Sequence, residues 1–355
     1  MGERVLMKGN EAIAEAAIQA GCRFFFGYPI TPQNELPEYM SRRMPQVEGT
    51  FVQAESEVAA INMVYGASGA GARVMTSSSS PGISLKQEGI SYMAGAELPA
   101  VIVNIVRGGP GLGSIQPSQG DYFQAVKGGG HGDYRLIVLA PANLQEAVDL
   151  VTEAFDLADL YRNPVLILGD GLLGQMMEPV EFRPGTKREL PPKTWATTGT
   201  RHHVGSKSVI NSLVLDAPGL ENHNLRLQAK YARIAQDEQK AELLHCTDAE
   251  VVVVAYGSTA RIAKTAIGNL RQLGHKVGLL RPITLWPFPV HAFQEVIPHA
   301  KTFLTVEMSS GQLVEDVRLT VNGARPVHYY GRMGGMVPTH EEISAECLKV
   351  LGGAR

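Results

Sequence analysis

The sequence predicts an α/β protein in which a doubly wound parallel sheet is followed by a smaller α/β domain. Three observations carry this. Over residues 1–180, short runs rich in β-branched and aromatic residues alternate with longer stretches of helical periodicity, at the spacing of βαβ units. Residues 181–247 break the alternation with Pro, Lys, Arg and His. Residues 248–355 then resume it on a smaller scale.

Taken in order, the first helix is expected to start at Asn10 as N-cap, to carry Ala, Ile and Glu at helical spacing, and to stop at Gly21. Strands are expected at 23–27, 50–54, 73–77, 100–106, 135–140 and 164–168, with helices between them. Pro184, Gly185, Pro191 and Pro192 mark 181–247 as a connector, and periodic Leu and Ala over 222–244 predict one long exposed helix at its end. Further strands are expected at 251–256, 276–280, 302–306 and 327–330, with helices near Ala260, Ala292, Leu313 and Ile343.

Composition removes several function classes. With 355 residues, 44% of them hydrophobic, the chain can fill two ordinary cores. Lys plus Arg number 32 against 35 Asp plus Glu, so no basic surplus points to nucleic acid. The longest apolar runs are too short to span a bilayer, and the N-terminus lacks a charged-then-apolar signal, so a cytoplasmic protein is expected. Three cysteines, Cys22, Cys246 and Cys347, suit neither a disulfide framework nor a four-thiolate cluster, so an iron-sulfur centre would have to sit on another chain.

The chemistry concentrates between Tyr28 and Gly113. Tyr28-Pro29-Ile30-Thr31-Pro32 leaves a strand end, where open α/β sheets place ligands. Thr31, between two prolines, either presents a hydroxyl to a ligand or caps a following helix that Pro32 opens. Glu55 and Glu57 lie at the next strand end, where a carboxylate either complements the helix dipole or bonds a heterocyclic nitrogen from a low-dielectric site. Thr76-Ser77-Ser78-Ser79-Ser80-Pro81-Gly82 enters a helix carrying Lys86 and Glu88, as a polar cup or a solvated loop. Arg107 closes the next strand before a glycine-rich loop, placed to pair with a ligand's carboxylate or in a structural salt bridge. The convergence of four strand ends favours a site. A dinucleotide site at Gly109 to Gly113 would need an acidic ribose anchor at a strand end, and Asp133 precedes its strand instead.

Together, Tyr-Pro-Ile-Thr-Pro, Glu-Ser-Glu-Val-Ala-Ala, the Ser-rich stretch and the strand ending in Arg107 resemble the α subunit of 2-oxoacid:ferredoxin oxidoreductases. Arg281-Pro282-Ile283-Thr284-Leu285-Trp286-Pro287 looks like the C-terminal domain these enzymes share with transketolases. Gln116-Pro117-Ser118-Gln119 is more similar to the branched-chain (3-methyl-2-oxobutanoate) members than to those acting on 2-oxoglutarate.

The resemblance implies a pyrimidine-binding thiamine-diphosphate domain over 1–180, a connector over 181–247 and a transketolase C-terminal-like domain over 248–355. It implies that Glu57 contacts the aminopyrimidine ring and controls its tautomer, with Tyr28, Pro29, Ile30, Ser78 and Ser79 lining the cofactor. Thr31 and Arg107 would engage the 2-oxoacid. The reaction implied is oxidative decarboxylation to acyl-CoA and CO2 with reduction of ferredoxin. A Gly-Asp-Gly to paired-Asn motif for diphosphate and Mg2+ is half present: Gly169-Asp170-Gly171 is followed by Thr197 to His202 without an Asn pair. Diphosphate and Mg2+ would therefore belong to a β subunit, and the iron-sulfur clusters to partner chains, among them γ and ferredoxin-like δ subunits. His202, His203, His223 and His245 lack a ligand spacing, so no metal is assigned to this chain. Pyruvate or 2-oxoglutarate as substrate, and a non-catalytic subunit of such a complex, stay open as alternatives.

Overall fold

Ala100–Val106 is apolar almost throughout and buried on both faces, as a central strand of a parallel sheet requires. In a computed structural model of the chain, which describes residues 4–183, 185, 188–199 and 207–353, it is the middle of a seven-stranded sheet. Val74–Ser78, Phe24–Gly27 and Thr50–Gln53 follow on one side; Pro164–Asp170, Ile137–Leu139 and Thr284–Trp286 follow on the other. Six of these strands run parallel and Thr284–Trp286 joins antiparallel. Pro184, Thr200, Arg201, His202 and His203 lie outside the described residues.

Strand side chains alternate between faces, and two cores result. Phe26, Ile102 and Leu166 pack against Ile61 and Val64 of helix Glu57–Gly69 and Ile83, Ile90 and Met93 of helix Ser80–Gly95. Phe25, Val103 and Ile167 pack against Gly9–Gln19, Glu35–Arg43 and Leu144–Tyr161 on the other face. A second sheet orders Val327–Gly331, Thr302–Glu307, Val251–Val254, Val277–Pro282 and Ala241–Leu244. Its inner face, through Val252, Leu280 and Phe303, belongs to the first of those cores, so the two sheets share buried apolar contacts.

Strand bounds differ from expectation by at most two residues, within the usual uncertainty of element ends, and Ala100–Val106 matches at both ends. Other differences have physical causes. Asn10 is not the cap: Val5–Lys8 is a strand paired antiparallel with Met177–Val180, and the helix starts directly from it at Gly9. Asn10 Nδ2 instead donates to the Pro32 carbonyl and to Glu35 Oε2, both at 2.9 Å. Pro32 opens no helix, because Glu35–Arg43 begins three residues later. The long helix runs Ala217–Asp237, set by Asp216, whose carboxylate accepts from Gly219 N–H at 2.7 Å. It stops early because Ala241–Leu244 is recruited as an edge strand of the second sheet. In return, Thr284–Trp286 leaves the second half of the chain and edges the first sheet.

Candidate active site at the strand ends of the larger sheet

The strand order reverses between Phe24–Gly27 and Val74–Ser78: the chain steps outward to Thr50–Gln53 and then returns past its first strand. A crevice opens at such a switch point, beyond the carboxyl ends of the strands. Tyr28, Pro29, Ile30 and Thr31 leave one side of it and Ser78 and Ser79 the other. Tyr28, Pro29 and Thr31 are exposed and Ile30 is half-buried.

Helix Glu57–Gly69 is set by Ser56, whose hydroxyl accepts from Ala59 N–H at 3.1 Å. That cap puts Glu57 at the first helical position, where the dipole favours a carboxylate. Glu57 is only 7% exposed, while Glu55 is exposed. The Glu57 carboxylate accepts no hydrogen bond from the described residues. Its room comes from Gly82: a methyl group there would meet Ser78 Oγ at 2.1 Å and Glu57 Oε1 at 2.7 Å.

Across the crevice, Ser79 holds the N-cap position of helix Ser80–Gly95 without making the capping bond that Ser usually makes. The hydroxyls of Ser78 and Ser79 are both buried and unpartnered among the described residues. Such groups cost free energy unless a ligand or water satisfies them. By contrast, Thr76 and Ser77 are fully used: Thr76 Oγ1 donates to the Phe26 carbonyl at 2.6 Å and Ser77 Oγ to Gln33 Oε1 at 2.5 Å. Lys86 Nζ, wholly buried, donates to Thr76 Oγ1 at 2.8 Å. Burial pushes this ammonium down to about 7, against the pull of Glu57.

Arg107 meets Thr31 directly, its Nη1 donating to the Thr31 carbonyl at 3.0 Å and its Nη2 to the Leu112 carbonyl at 3.1 Å. Nε is buried and unpartnered, and no described carboxylate pairs with the guanidinium. A structural salt bridge, one of the two sequence-based readings of Arg107, is thus not what holds it. Beside Thr31 a cavity of about 590 Å3 runs between the 115–117 loop and helix Gly171–Gln175, lined by Ile115, Pro117, Leu172, Met176 and Glu35. Asp170 caps that helix, accepting from the N–H groups of Leu172 at 2.9 Å and Leu173 at 3.2 Å. Burial raises its carboxyl above the ordinary range.

The motifs marked Gln119 only as part of the stretch similar to the branched-chain members, and they left its contacts and the role of Gly335 unseen. The Gln119 side chain bonds to the second half of the chain at three points: Nε2 donates to the Tyr256 carbonyl, and Oε1 accepts from Thr259 Oγ1 and Met308 N–H, all at 2.9 Å. The loop after Arg107 is thereby anchored. Gly335 is pressed on the same loop, since a methyl there would meet Gln116 Cβ at 2.4 Å. Lys86 was legible as a helix residue, but its burial was not.

The chemistry of these side chains suits a thiamine pyrimidine, a ring with a basic nitrogen and an exocyclic amine: Glu57 offers a buried carboxylate without a protein donor, and Ser78 and Ser79 offer unpartnered buried hydroxyls. Among the described residues, no group of three His, Cys, Asp or Glu is placed to hold a metal ion.

Comparison with known proteins gives the arrangement its family. Residues 15–242 match the pyruvate flavodoxin/ferredoxin oxidoreductase thiamine-diphosphate-binding domain, and residues 249–343 match the pyruvate:ferredoxin oxidoreductase core domain II. The ketoisovalerate oxidoreductase subunit VorB of Methanothermobacter thermautotrophicus is 52% identical over 98% of each chain. The 2-oxoglutarate synthase subunit KorA of Archaeoglobus fulgidus is 38% identical over 93% of this chain and 96% of its own. Among solved structures, the Magnetococcus marinus 2-oxoglutarate:ferredoxin oxidoreductase, with 2-oxoglutarate, coenzyme A and succinyl-CoA bound, superposes with a TM-score of 0.88 at 27% identity. That match covers 98% of this chain but 65% of the other, so the chain spans under two thirds of that relative. A split-gene transketolase shares the fold, with a TM-score of 0.61 at 16% identity over both full chains. A chain matched from end to end in this way belongs to the 2-oxoacid:ferredoxin oxidoreductase family, as one thiamine-diphosphate-binding subunit of a multi-subunit enzyme.

Proposed function

We propose that this subunit activates thiamine diphosphate for the oxidative decarboxylation of a branched-chain 2-oxoacid, 3-methyl-2-oxobutanoate or a close analogue, to acyl-CoA and CO2 with ferredoxin as electron acceptor. The observation that carries the reading is the buried Glu57 carboxylate, free of protein donors, which meets the unpartnered Ser78 hydroxyl across the Gly82 position. The cofactor, when bound, would supply the nucleophilic carbon that decarboxylation of a 2-oxoacid requires. Glu57 exchanges a proton with a pyrimidine ring nitrogen, and its low-dielectric setting makes that single contact strongly directive. Tyr28, Pro29, Ile30, Ser78 and Ser79 line the ring, while Arg107 Nε and the Thr31 hydroxyl receive the carboxylate and carbonyl oxygens of the 2-oxoacid.

Two observations support a branched aliphatic substrate. The cavity beside Thr31 has an apolar wall of Ile115, Pro117, Leu172 and Met176, and its one acidic lining residue, Glu35, would repel the second carboxylate of 2-oxoglutarate. VorB, matched over nearly its whole length, is named for ketoisovalerate. Diphosphate and Mg2+ are assigned to a β subunit and the iron-sulfur clusters to partner chains, γ and a ferredoxin-like δ among them. The assembly is placed in the cytoplasm; no described helix is long and apolar enough to cross a membrane.

The test is 2-oxoacid-dependent reduction of a viologen dye by the complex copurified on a tag carried by this chain. The reading expects 3-methyl-2-oxobutanoate to give the highest kcat/KM. A preference for pyruvate or 2-oxoglutarate would overturn the substrate assignment, and an intact, thiamine-loaded complex inert toward all three would overturn the activity.

A further inference from the structure

The turn that carries Thr31 holds two prolines, Pro29 and Pro32, and neither has an N–H with which to tie its own backbone down. Gln33 N–H reaches back to the Ile30 carbonyl at 3.1 Å, and Arg107 Nη1 takes the Thr31 carbonyl at 3.0 Å. The next carbonyl, that of Pro32, is held from outside the turn. Asn10 Nδ2 and Gln175 Nε2 each donate one hydrogen to it and the other to Glu35 Oε2, all four contacts at 2.9 Å. Each amide thus spends both its hydrogens, and each acceptor oxygen is met twice. Lys8 Nζ lies 3.4 Å from the other Glu35 oxygen.

The two amides reach this point from distant parts of the sequence. Asn10, 0% exposed, is the second residue of helix Gly9–Gln19, and Gln175, at the surface of the cavity beside Thr31, is the last residue of helix Gly171–Gln175. Two glycines let these helices touch: a methyl on Gly9 would strike the Leu173 carbonyl, and one on Gly174 would meet Asn10 Oδ1 at 2.7 Å. The same contact therefore joins the Thr31 turn to the helix that carries Leu172 into the cavity wall.

We propose that Asn10 and Gln175 are positioning residues, a paired clamp that fixes the Thr31–Pro32 turn and Glu35 beside the cavity, so that the Thr31 hydroxyl meets the 2-oxoacid in one orientation. The inference rests on the reading of Thr31 as a 2-oxoacid ligand. A reacting group gains from such fixing because a small misplacement lowers the share of productive encounters. The two amides serve the same two acceptors, so each covers in part for the other. Removing one leaves both acceptors a donor; removing both strips the Pro32 carbonyl and Glu35 Oε2 together. Glu57, Ser78 and Ser79 take no part in the clamp, so the loss must fall on the 2-oxoacid and spare the cofactor.

The experiment uses intact complexes carrying Thr31→Val, Gln175→Met, Asn10→Leu, or the last two together. The readouts are KM and kcat for the 2-oxoacid that the wild type prefers, calorimetric binding of thiamine diphosphate to cofactor-stripped complex, and Tm. Q175M and N10L are each expected to raise KM about two- to tenfold, the worth of the hydrogen bonds removed. The double variant should raise it by more than the product of the two, as groups that share partners do, with cofactor affinity within about twofold of wild type. A purely structural pair would lower Tm and leave KM in place, or weaken cofactor binding in step with KM, and either result overturns the proposal. Single effects that only multiply in the double variant defeat the shared clamp. A raised KM in T31V beside clamp variants at the wild-type KM overturns the inference while the Thr31 reading stands. T31V at the wild-type KM overturns both. Should N10L not assemble, Q175M decides alone: a raised KM with cofactor affinity kept supports the proposal, and a wild-type KM defeats it.

Discussion

In both sheets a buried carboxylate lies where a parallel strand gives way to a helix, Glu307 as the last residue of Thr302–Glu307 and Glu57 as the first residue of the helix after Thr50–Gln53. Glu307 is saturated: it accepts from Ser309 Oγ and from the backbone N–H groups of Gln312, Leu313 and Val314, the latter three at 2.9–3.1 Å. It serves as the anchor of helix Leu313–Val321. Glu57, at the start of its helix rather than the end of its strand, has its acceptors free, and the Ser78 and Ser79 hydroxyls are unpartnered as well. The second sheet is not wholly satisfied, since Thr305 Oγ1 is unpartnered, but that hydroxyl stands alone in mid-strand. A cluster of unmet polar atoms at a crevice marks a site, and a saturated carboxylate marks a joint.

The largest effect should separate the two carboxylates. Glu57→Gln is expected to lower viologen reduction by about 10²–10⁴-fold with the complex assembled and Tm little changed. Glu307→Gln should do the reverse, costing about 1–3 kcal/mol of stability in denaturant titration with kcat nearly intact. Equal losses of activity from both would erase the distinction.

Next in size is the pair of glycine variants. Gly82→Ala drives a methyl into Ser78 Oγ and Glu57 Oε1 and should weaken thiamine diphosphate binding at least tenfold in calorimetry. Gly268→Ala, on a helix of the second sheet with nothing within 4 Å of the new methyl, should stabilise by about 0.5–1 kcal/mol and leave binding unchanged.

Arg107→Met should raise KM for the 2-oxoacid by about 10–100-fold, the worth of a charge-assisted hydrogen bond, and spare thiamine diphosphate affinity. A variant whose KM stays at the wild-type value would remove Arg107 from substrate binding.

A further effect concerns stability against pH. Lys86 falls from an ordinary value of 10.5 to about 7 on folding, so the unfolded chain binds more protons between those values. Stability contributed by this group is therefore lowest below pH 7 and rises as pH climbs toward 10.5, at about 1.4 kcal/mol per unit at most. Lys86→Met should flatten that slope in urea titrations between pH 7 and 9, and an unchanged slope would place the ammonium in a better-solvated setting.

The parallel strands were legible because strands buried on both faces must be largely apolar, as Ala100–Val106 is apart from Asn104 and Val251–Val254 is throughout. Strand-end residues could be named on the same logic, since the ends of parallel strands face the crevice. The short antiparallel pieces were not legible. Val5–Lys8 and Thr284–Trp286 take partners more than a hundred residues away, and nothing local in three or four residues encodes a remote edge. Asn10 looked like a cap because Asn commonly is one; only tertiary contact with Pro32 and Glu35 assigns it otherwise. Lys86 and Gln119 escaped for a related reason. A lysine on a helix and a glutamine in a loop read as solvated until a neighbouring helix or the second half of the chain covers them.

The two edge strands exchanged across residues 245–283 carry a consequence for how the polypeptide can be divided. The two family domains meet between residues 242 and 249, yet a cut there yields no autonomous halves. The upstream fragment would keep Ala241–Leu244, which completes the downstream sheet, and the downstream fragment would keep Thr284–Trp286, which completes the upstream one. A protease nicking that junction in the native chain would leave two pieces clasped through each other's sheets. A gene split at the same point would encode two polypeptides obliged to find one another before either could finish its fold.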